Sequence, residues 1–177
     1  MNNIVLYKSK YGNTLQYATW IAEELGWELR DFSHFKKSEI HNYQHVIFGS
    51  GVYMGRMNQL SKVLRWFQQQ PIIIFACAGH LNNTAEIERL KMRNLTSAQL
   101  SFHQFFYLPG GVDFSKMKGL MKLMVDFYGK RIEAKNNRTN DENAILESMK
   151  HPTHYVDKKY IDAIILYAKS LPNSSSH

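Results

Sequence analysis

The residues with the clearest chemical potential form the hexapeptide Ser9-Lys10-Tyr11-Gly12-Asn13-Thr14, which lies between an apolar run and a helical pattern. A phosphate at a helix N-terminus is held by unpaired backbone N–H groups and by the positive end of the helix dipole. Ser9 and Thr14 can add hydroxyl donors, and Gly12 lets the backbone wrap closely because it has no Cβ atom. The pattern predicts a phosphate-binding loop, with an ordinary helix-capping turn as the alternative. The spellings of the Walker loop and the dinucleotide fingerprint are both absent from the sequence.

Two other glycine-containing segments also follow apolar runs. Their sequences are Ser50-Gly51-Val52-Tyr53-Met54-Gly55 and Ala78-Gly79-His80. In the first segment two glycines bracket an aromatic side chain, so Tyr53 is either a stacking residue or an ordinary exposed tyrosine. In the second segment His80 either contacts a ligand or is a solvent-exposed loop histidine. We treat both segments as candidate parts of one binding site.

The elements that must position these segments alternate along the chain. Several strand-like runs, such as Ile4-Val5-Leu6-Tyr7, are continuously apolar, which is typical of parallel strands covered by helices on both faces. Strands that alternate with helices predict an α/β fold with a doubly wound parallel sheet. The predicted strands are 4–8, 27–32, 45–50, 72–78 and 102–108, and the predicted helices are 14–25, 58–69, 85–94, 115–131 and 157–170.

Length and composition indicate a globular protein. A chain of 177 residues fits one domain, which we place at 1–172 with a flexible tail at 173–177. The hydrophobic content of 44% and the charged content of 21% exclude the disordered class. The start of the chain does not read as a signal peptide, and no apolar run reaches the roughly 18 residues of a membrane span. The expected localisation is therefore cytoplasmic.

Cys77 and the pair His151 and His154 do not indicate a catalytic or metal-binding site. Cys77 lies inside a strand pattern, where a lone cysteine is most often a small buried apolar residue. His151 and His154 form only a loop pair, and their spacing does not make a convincing metal site. We therefore predict no metal.

The hexapeptide resembles the FMN-phosphate loop of flavodoxins, which follows the first strand and ends in a glycine, any residue and a threonine. The resemblance implies a five-stranded parallel sheet in the order 2-1-3-4-5, with FMN beside the carboxyl ends of strands one, three and four. It implies that Ser9–Thr14 hold the phosphate. It also implies that the segment 50–55 passes under the isoalloxazine ring, with Tyr53 stacked on it, and that the segment 78–80 contacts the pyrimidine side.

A long segment of about 110–152 separates the fifth strand from the last helix, and we interpret it as an insertion because βα loops are usually short. Between Gly110 and Asn140 it carries seven basic residues and three acidic ones. Within it a wide Met-rich stripe recurs at helical spacing. The stripe packs in the core or docks on a partner groove or a membrane surface. It comprises Met117, Leu120, Met121, Met124, Val125 and Tyr128, widened by Leu123 and Phe127, with Lys118, Lys122 and Asp126 opposite.

The segments 108–114 and 150–157, with the basic helix between them, resemble one flavodoxin subfamily, which contains the quinone-dependent, flavodoxin-type protoporphyrinogen oxidases. Members of that subfamily tend to be basic, whereas electron-carrier flavodoxins are strongly acidic. With a formal net charge of +7, the resemblance favours an FMN-dependent oxidoreductase with a quinone and a porphyrin-like acidic substrate as partners. The alternatives are an electron carrier between redox protein partners and a non-catalytic anion-binding module. Peripheral contact with the inner face of the membrane is a further expectation, and nucleic acid is not an expected partner.

Overall fold

The apolar runs of the chain form a parallel sheet. The computed structural model describes residues 2–79, 83–111, 119–151 and 153–172. The strand order is β2-β1-β3-β5-β6 with parallel neighbours, and the two-residue β4 pairs antiparallel with β3. Without β4 this is the predicted order 2-1-3-4-5, so the predicted fold class is confirmed. The strands are β1 (Asn2–Lys8), β2 (Glu28–Asp31), β3 (Tyr43–Tyr53), β4 (Arg56–Met57), β5 (Ile73–Ala78) and β6 (Gln104–Pro109).

Helices connect the strands and cover both faces of the sheet. Alternate residues of β1 show this, since Ile4 and Leu6 pack in one buried cluster and Val5 packs in the other. The first cluster includes Leu60 of the second helix, and the second cluster includes Ile21 of the first. The helices are α1 (Asn13–Leu25), α2 (Leu60–Trp66), α3 (Thr84–Asn94), α4 (Ser97–Phe102), α5 (Gly119–Glu133), α6 (Asn140–Lys150) and α7 (Asp162–Ser170). Short 3₁₀ turns lie at Phe32–His34, Lys37–Asn42 and Lys158–Ile161.

Several elements differ from the sequence-based predictions. The helices α4 and α6 and the strand β4 were not predicted, and the predicted helix 157–170 begins instead as a 3₁₀ turn before α7. Both unpredicted helices start with a capping box, in which Thr96 pairs with Gln99 and Thr139 pairs with Glu142. Each box satisfies backbone donors that would otherwise be unpaired, which explains why such short or polar segments form helices.

The chain divides into two compact units, residues 1–110 with 156–177 and residues 111–155. The second unit spans nearly the same residues as the predicted insertion. Within it α5 packs on α6 at Gly129, where an added Cβ atom would lie 3.0 Å from the sulfur of Met149. Ile132 of α5 and Leu146 of α6 are buried beside this contact.

The Met-rich stripe does not form a core in the described part of α5. Leu123 is 66% exposed, Met124 48%, Phe127 69% and Tyr128 51%. Core packing, one of the predicted interpretations, is therefore wrong for these four side chains. The opposite face holds the buried Gly129, and Lys122 and Asp126 form an ion pair of 2.7 Å there. The predictions for Lys116, Met117 and Lys118, and for the side chains of Leu120 and Met121, lie outside the described residues.

Candidate functional site

The predicted phosphate loop lies where the sheet changes direction. From β1 the chain crosses through α1 to β2 on one side of β1, whereas β3 lies on the other side and leads onward to β5. The crevice at the carboxyl ends of β1 and β3 is therefore the topological switch point, where open α/β sheets bind their ligands. The loop from Ser9 to Gly12 follows the carboxyl end of β1 directly and therefore lies at this crevice.

A glycine caps the N-terminus of α1 at the end of this loop. Gly12 is the N-cap residue, with a left-handed φ of 98°, so the cap residue itself has no side chain that could bond the first helical N–H groups. The Gly12 N–H donates to the Ser9 hydroxyl at 3.1 Å, and the Gly12 carbonyl accepts the first helical bond from Gln16 at 2.9 Å. A left-handed residue disfavours any side chain with a Cβ atom, which explains the glycine here. The loop can therefore present backbone donors and the positive end of α1 to one anion.

Two buried hydroxyl groups at this crevice have no partner within the described part of the protein. They are the hydroxyls of Tyr11 and Ser50. Ser50 is fully buried on β3, level with Lys8 at the end of β1. An unpaired buried hydroxyl costs about 1–3 kcal/mol. A polar ligand in the crevice, or an ordered water molecule, would remove that cost.

Thr14 lies beneath the loop rather than on its surface. Its side chain is 3% exposed and lies close to the Cys77 thiol of β5. Burial raises the pKa of the Cys77 thiol to about 12, against the smaller opposing effect of Thr14. The thiol therefore stays protonated at neutral pH and supports the loop as a buried packing residue.

A cationic and aromatic group lies beside the loop. The ring centroids of Tyr11 and Tyr53 are 6.1 Å apart in an edge-to-face arrangement. The ammonium group of Lys10 lies 5.2 Å from the Tyr11 centroid and 5.7 Å from the Tyr53 centroid. Burial, with a smaller effect of Tyr11, raises the pKa of Tyr53 to about 12, so the Tyr53 ring can act as a neutral stacking surface. The Tyr53 ring folds over Gly51, where an added Cβ atom would lie 3.2 Å from the ring carbons.

The segment after β3 is a tight hairpin. Met54 and Gly55 connect β3 to β4, with φ values of 51° and 77°. Two positive φ values define the type I′ turn that suits a two-residue hairpin. Asn94 of α3 fastens the hairpin, because its side chain accepts from the Met57 N–H at 2.8 Å and donates to the Gly55 carbonyl at 2.9 Å.

The segment after β5 is fixed by its neighbours in the sheet. The Tyr107 hydroxyl donates to the Gly79 carbonyl at 2.7 Å, and the Gly110 N–H donates to the Ala78 carbonyl. Gly110 must be small, since an added Cβ atom would lie 2.9 Å from that carbonyl oxygen. The predicted role of His80 lies outside the described residues.

The structure thus brings the predicted segments together at one edge of the sheet. The loop Ser9–Thr14 follows β1, the residues 50–55 end β3, and Ala78 with Gly79 ends β5. Sequence reasoning missed a cavity next to this site, which is lined by the face of α3 that carries Arg89 and Arg93. The available signal was their i,i+4 spacing on the helix that follows the β5 loop.

Neither a metal-binding cluster nor a membrane-spanning helix is present in the described ranges. No group of three or more histidine, cysteine or acidic side chains is arranged to hold a metal ion. No helix there has both the length and the apolar character needed to cross a bilayer.

A doubly wound parallel sheet with a glycine-capped helix at its switch point defines the class of open α/β domains. A family model described as a flavodoxin domain matches residues 4–140. The chain therefore belongs to the flavodoxin domain family. No match was found among curated protein sequences.

Solved structures with a similar fold include three redox proteins. One is a flavodoxin from the domain Archaea, with 16% identity and a TM-score of 0.41, covering 85% of this chain and 100% of that one. Another is oxidised flavodoxin 2 from Bacillus cereus, with 18% identity and a TM-score of 0.42, covering 62% and 86%. The third is rubredoxin oxygen:oxidoreductase from Desulfovibrio gigas, with 14% identity and a TM-score of 0.42, covering 96% and 37%.

Proposed function

We propose that this protein binds FMN and is an oxidoreductase similar to the quinone-dependent, flavodoxin-type protoporphyrinogen oxidases. The observation that carries the proposal is the position of the glycine-capped N-terminus of α1 at the switch point, with its left-handed Gly12. Membership of the flavodoxin domain family supports a flavin as the ligand. The sequence lacks a dinucleotide fingerprint, which favours a mononucleotide over FAD or NAD.

The residues of the crevice fit the parts of FMN. The backbone donors of Ser9–Thr14 would bind the phosphate, and the Lys10 ammonium would attract its charge. The buried hydroxyls of Tyr11 and Ser50 need polar partners, which a ribityl phosphate chain can supply. The hairpin backbone at 51–55 and the backbone of Ala78 and Gly79 would hold the flavin ring by its edges.

Tyr53 is the aromatic residue proposed to cover the flavin ring. Its ring already lies across Gly51 at the mouth of the crevice. An aromatic ring stacked on a flavin excludes water and contributes about 0.5–1.5 kcal/mol beyond the area that it buries. Its raised pKa keeps the hydroxyl protonated, so no negative charge would face the flavin.

When bound, FMN would supply two-electron chemistry, in which a reduced substrate loses two electrons and two protons and a quinone gains them as a quinol. The charge of the chain supports an enzyme over an electron carrier. The carriers that this chain resembles are strongly acidic, whereas its formal net charge is +7 and its pI is about 9.4. A basic surface attracts acidic substrates instead.

An absorption spectrum of the purified protein tests the flavin first. A bound flavin gives a visible absorption band, and the cofactor released by denaturation should be FMN. If the protein is colourless and does not bind added FMN, a non-catalytic anion-binding module is the function that remains. Steady-state oxidation of protoporphyrinogen with a quinone acceptor then separates the oxidase from a carrier, which would reduce a protein partner without turning over the quinone.

A second proposed contact is with an anionic lipid surface through α5. The exposed Leu123 and Phe127 lie on the same face of α5 as the exposed Lys130 and Arg131. A helix with apolar and basic side chains on its solvent face is suited to the interface of an anionic bilayer. Such a contact would bring the protein close to membrane-dissolved quinone.

A further inference from the structure

We infer that the cavity between the β3–β4 hairpin and α3 binds the carboxylate of an organic acid, with Arg89 and Arg93 as the recognising side chains. The inference rests on the proposed function, because it names the class of molecule that would be bound beside the flavin. It concerns a different surface from the phosphate loop, and its residues belong to a different helix.

The cavity has the size and composition of a small-molecule site. Its volume is about 390 Å³, within the range of about 300–1,000 Å³ that is usual for such sites. It opens between the two segments proposed to hold the flavin ring, so a molecule inside it would lie next to that ring. Apolar surface comes from Val52, Ala78 and Leu90, and polar groups come from Glu86, Arg89 and Arg93.

The two arginines form no ion pair with any acidic side chain that the structure describes. Both side chains are exposed, and their i,i+4 spacing places them on one face of α3. Within the described ranges no carboxylate forms an ion pair with either of them. Arg30, in contrast, is paired with Glu28 and Glu39. The guanidinium groups in the cavity therefore remain available to an anionic ligand.

The hairpin holds Arg93 in place. Its side chain crosses Gly55, where an added Cβ atom would lie 2.9 Å from the Arg93 Cδ. Its backbone carbonyl also accepts a hydrogen bond from the Arg56 side chain. A guanidinium group positioned in this way loses less conformational entropy when it binds a carboxylate.

The charge and shape of the cavity indicate the ligand class. Two guanidinium groups and the Glu86 carboxylate leave a net positive charge. Guanidinium groups bind carboxylates through two parallel hydrogen bonds, which gives both strength and orientation. The apolar wall of Val52, Ala78 and Leu90 suits an apolar body behind the acid group. The recognised molecule therefore combines an apolar body with at least one carboxylate.

The test is a binding measurement with a charged probe and its neutral counterpart. Coproporphyrin III carries four carboxylates, and its tetramethyl ester carries none. Fluorescence anisotropy should measure both affinities on wild-type protein and on Arg89→Gln, Arg93→Gln and the double variant. Arg65→Gln on α2 is the matched control, because Arg65 is also exposed but lines a different cavity.

We expect each substitution in the cavity to weaken coproporphyrin binding by about tenfold, since a hydrogen bond to a charged group is lost. Arg93→Lys should fall between wild type and Arg93→Gln, because it keeps the charge and loses the planar fork. Arg65→Gln, and the tetramethyl ester with every variant, should show unchanged affinity. Far-UV circular dichroism checks that each variant folds. If Arg93→Gln does not fold, Arg89→Gln decides the test.

Unchanged coproporphyrin affinity in the double variant would overturn the inference. If the inference is correct, the FMN affinity of these variants, measured separately by titration of flavin-free protein, should equal that of wild type. A parallel loss of FMN affinity would show that the arginines serve the flavin instead. If wild-type protein binds no FMN, the proposed function fails, and the same anisotropy series on flavin-free protein still decides whether the cavity binds carboxylates.

Discussion

The hydroxyl group of Tyr17 donates a hydrogen bond to the carbonyl oxygen of Pro109 at 2.7 Å. The same hydroxyl accepts a hydrogen bond from the N–H of Asp157 at 3.3 Å. Pro109 and Asp157 flank the segment 110–156, which separates the two parts of the first unit along the chain. The fully buried side chain of Tyr17 in α1 therefore contacts the chain on both sides of this segment. Burial raises the pKa of Tyr17, which keeps its proton available for Pro109.

Tyr17→Phe should lower the free energy of unfolding by about 1–3 kcal/mol, because the buried Pro109 carbonyl loses its donor. Urea denaturation followed by circular dichroism measures this change. Tyr167→Phe is the control, since it removes a hydroxyl from a partly exposed tyrosine of α7 and should change stability by less than about 0.5 kcal/mol. Equal effects of the two substitutions would contradict a bridging role for Tyr17.

Gly12→Ala and Gly26→Ala form a matched pair at the two ends of α1. Both glycines have positive φ values, 98° and 65°, and neither added Cβ atom would have a neighbour within 4 Å. Each substitution should therefore cost about 1–2 kcal/mol of stability through backbone strain alone. FMN affinity, measured by fluorescence titration, should fall only for Gly12→Ala. An FMN affinity that is the same in both variants would place the phosphate elsewhere.

Tyr53→Ala should weaken FMN binding by about 1 kcal/mol, because the flavin ring loses its proposed stacking partner. The fluorescence of bound FMN should also increase, since the stacked phenol ring quenches it. Tyr53→Phe keeps the ring and should preserve both properties. If Tyr53→Ala leaves affinity and quenching intact, the stacking role belongs to another residue, and His80 is the next candidate.

His103 should make stability depend on pH. Its Nδ1 accepts a hydrogen bond from the Ile72 N–H at 3.2 Å, which requires a neutral ring, and burial lowers its pKa from the usual value. Because the native state then binds fewer protons than the unfolded state, stability should be full above about pH 6.5 and should decline below it. Urea midpoints at about pH 5, 6 and 8 measure this decline.

Two variants isolate the contribution of His103. In His103→Asn the side-chain oxygen can still accept from Ile72 but cannot be protonated, so the decline should become shallower. His41→Asn changes an exposed histidine and should keep the wild-type pH profile. An unchanged profile for His103→Asn would assign the decline to other groups.

The exposed face of α5 predicts salt-dependent binding to anionic vesicles. Lys130→Glu with Arg131→Glu should weaken binding to phosphatidylserine-containing vesicles, most strongly at low ionic strength, where charges are least screened. Leu123→Ser with Phe127→Ser should weaken binding at all salt concentrations. Lys36→Glu with Lys37→Glu reverses two exposed charges in the first unit and is the control. Co-sedimentation of wild type and both α5 variants at equal levels would exclude the lipid contact.

The parallel sheet could be predicted because buried parallel strands need continuous apolar runs, and Val46-Ile47-Phe48 is such a run in β3. The glycine cap at the start of α1 could also be predicted, since the glycine at position 12 and its place before a helix are local features. The helix α6 was missed although Thr139 and Glu142 form a capping box, because the segment is polar and its apolar residues are few.

The cavity of α3 could not be predicted from the sequence. Its walls depend on the register that brings Gly55 against Arg93, a contact between residues far apart in the chain. The sequence alone also does not determine whether the apolar stripe of α5 is buried or exposed. An apolar stripe at helical spacing is equally suited to a core or to an exposed docking surface, and only the packing of Gly129 on Met149 selects which face is buried.

The hydrogen bonds of Asn94 connect the proposed flavin site at the hairpin with the proposed carboxylate site on α3. Asn94 also donates to the Leu90 carbonyl at 2.8 Å, so one amide group connects the hairpin to the helix that carries Arg89 and Arg93. A molecule that shifts the hairpin must then shift the arginine wall as well. Coupling of this kind is reciprocal, so an organic acid in the cavity and a flavin at the hairpin would change each other's affinity by the same factor.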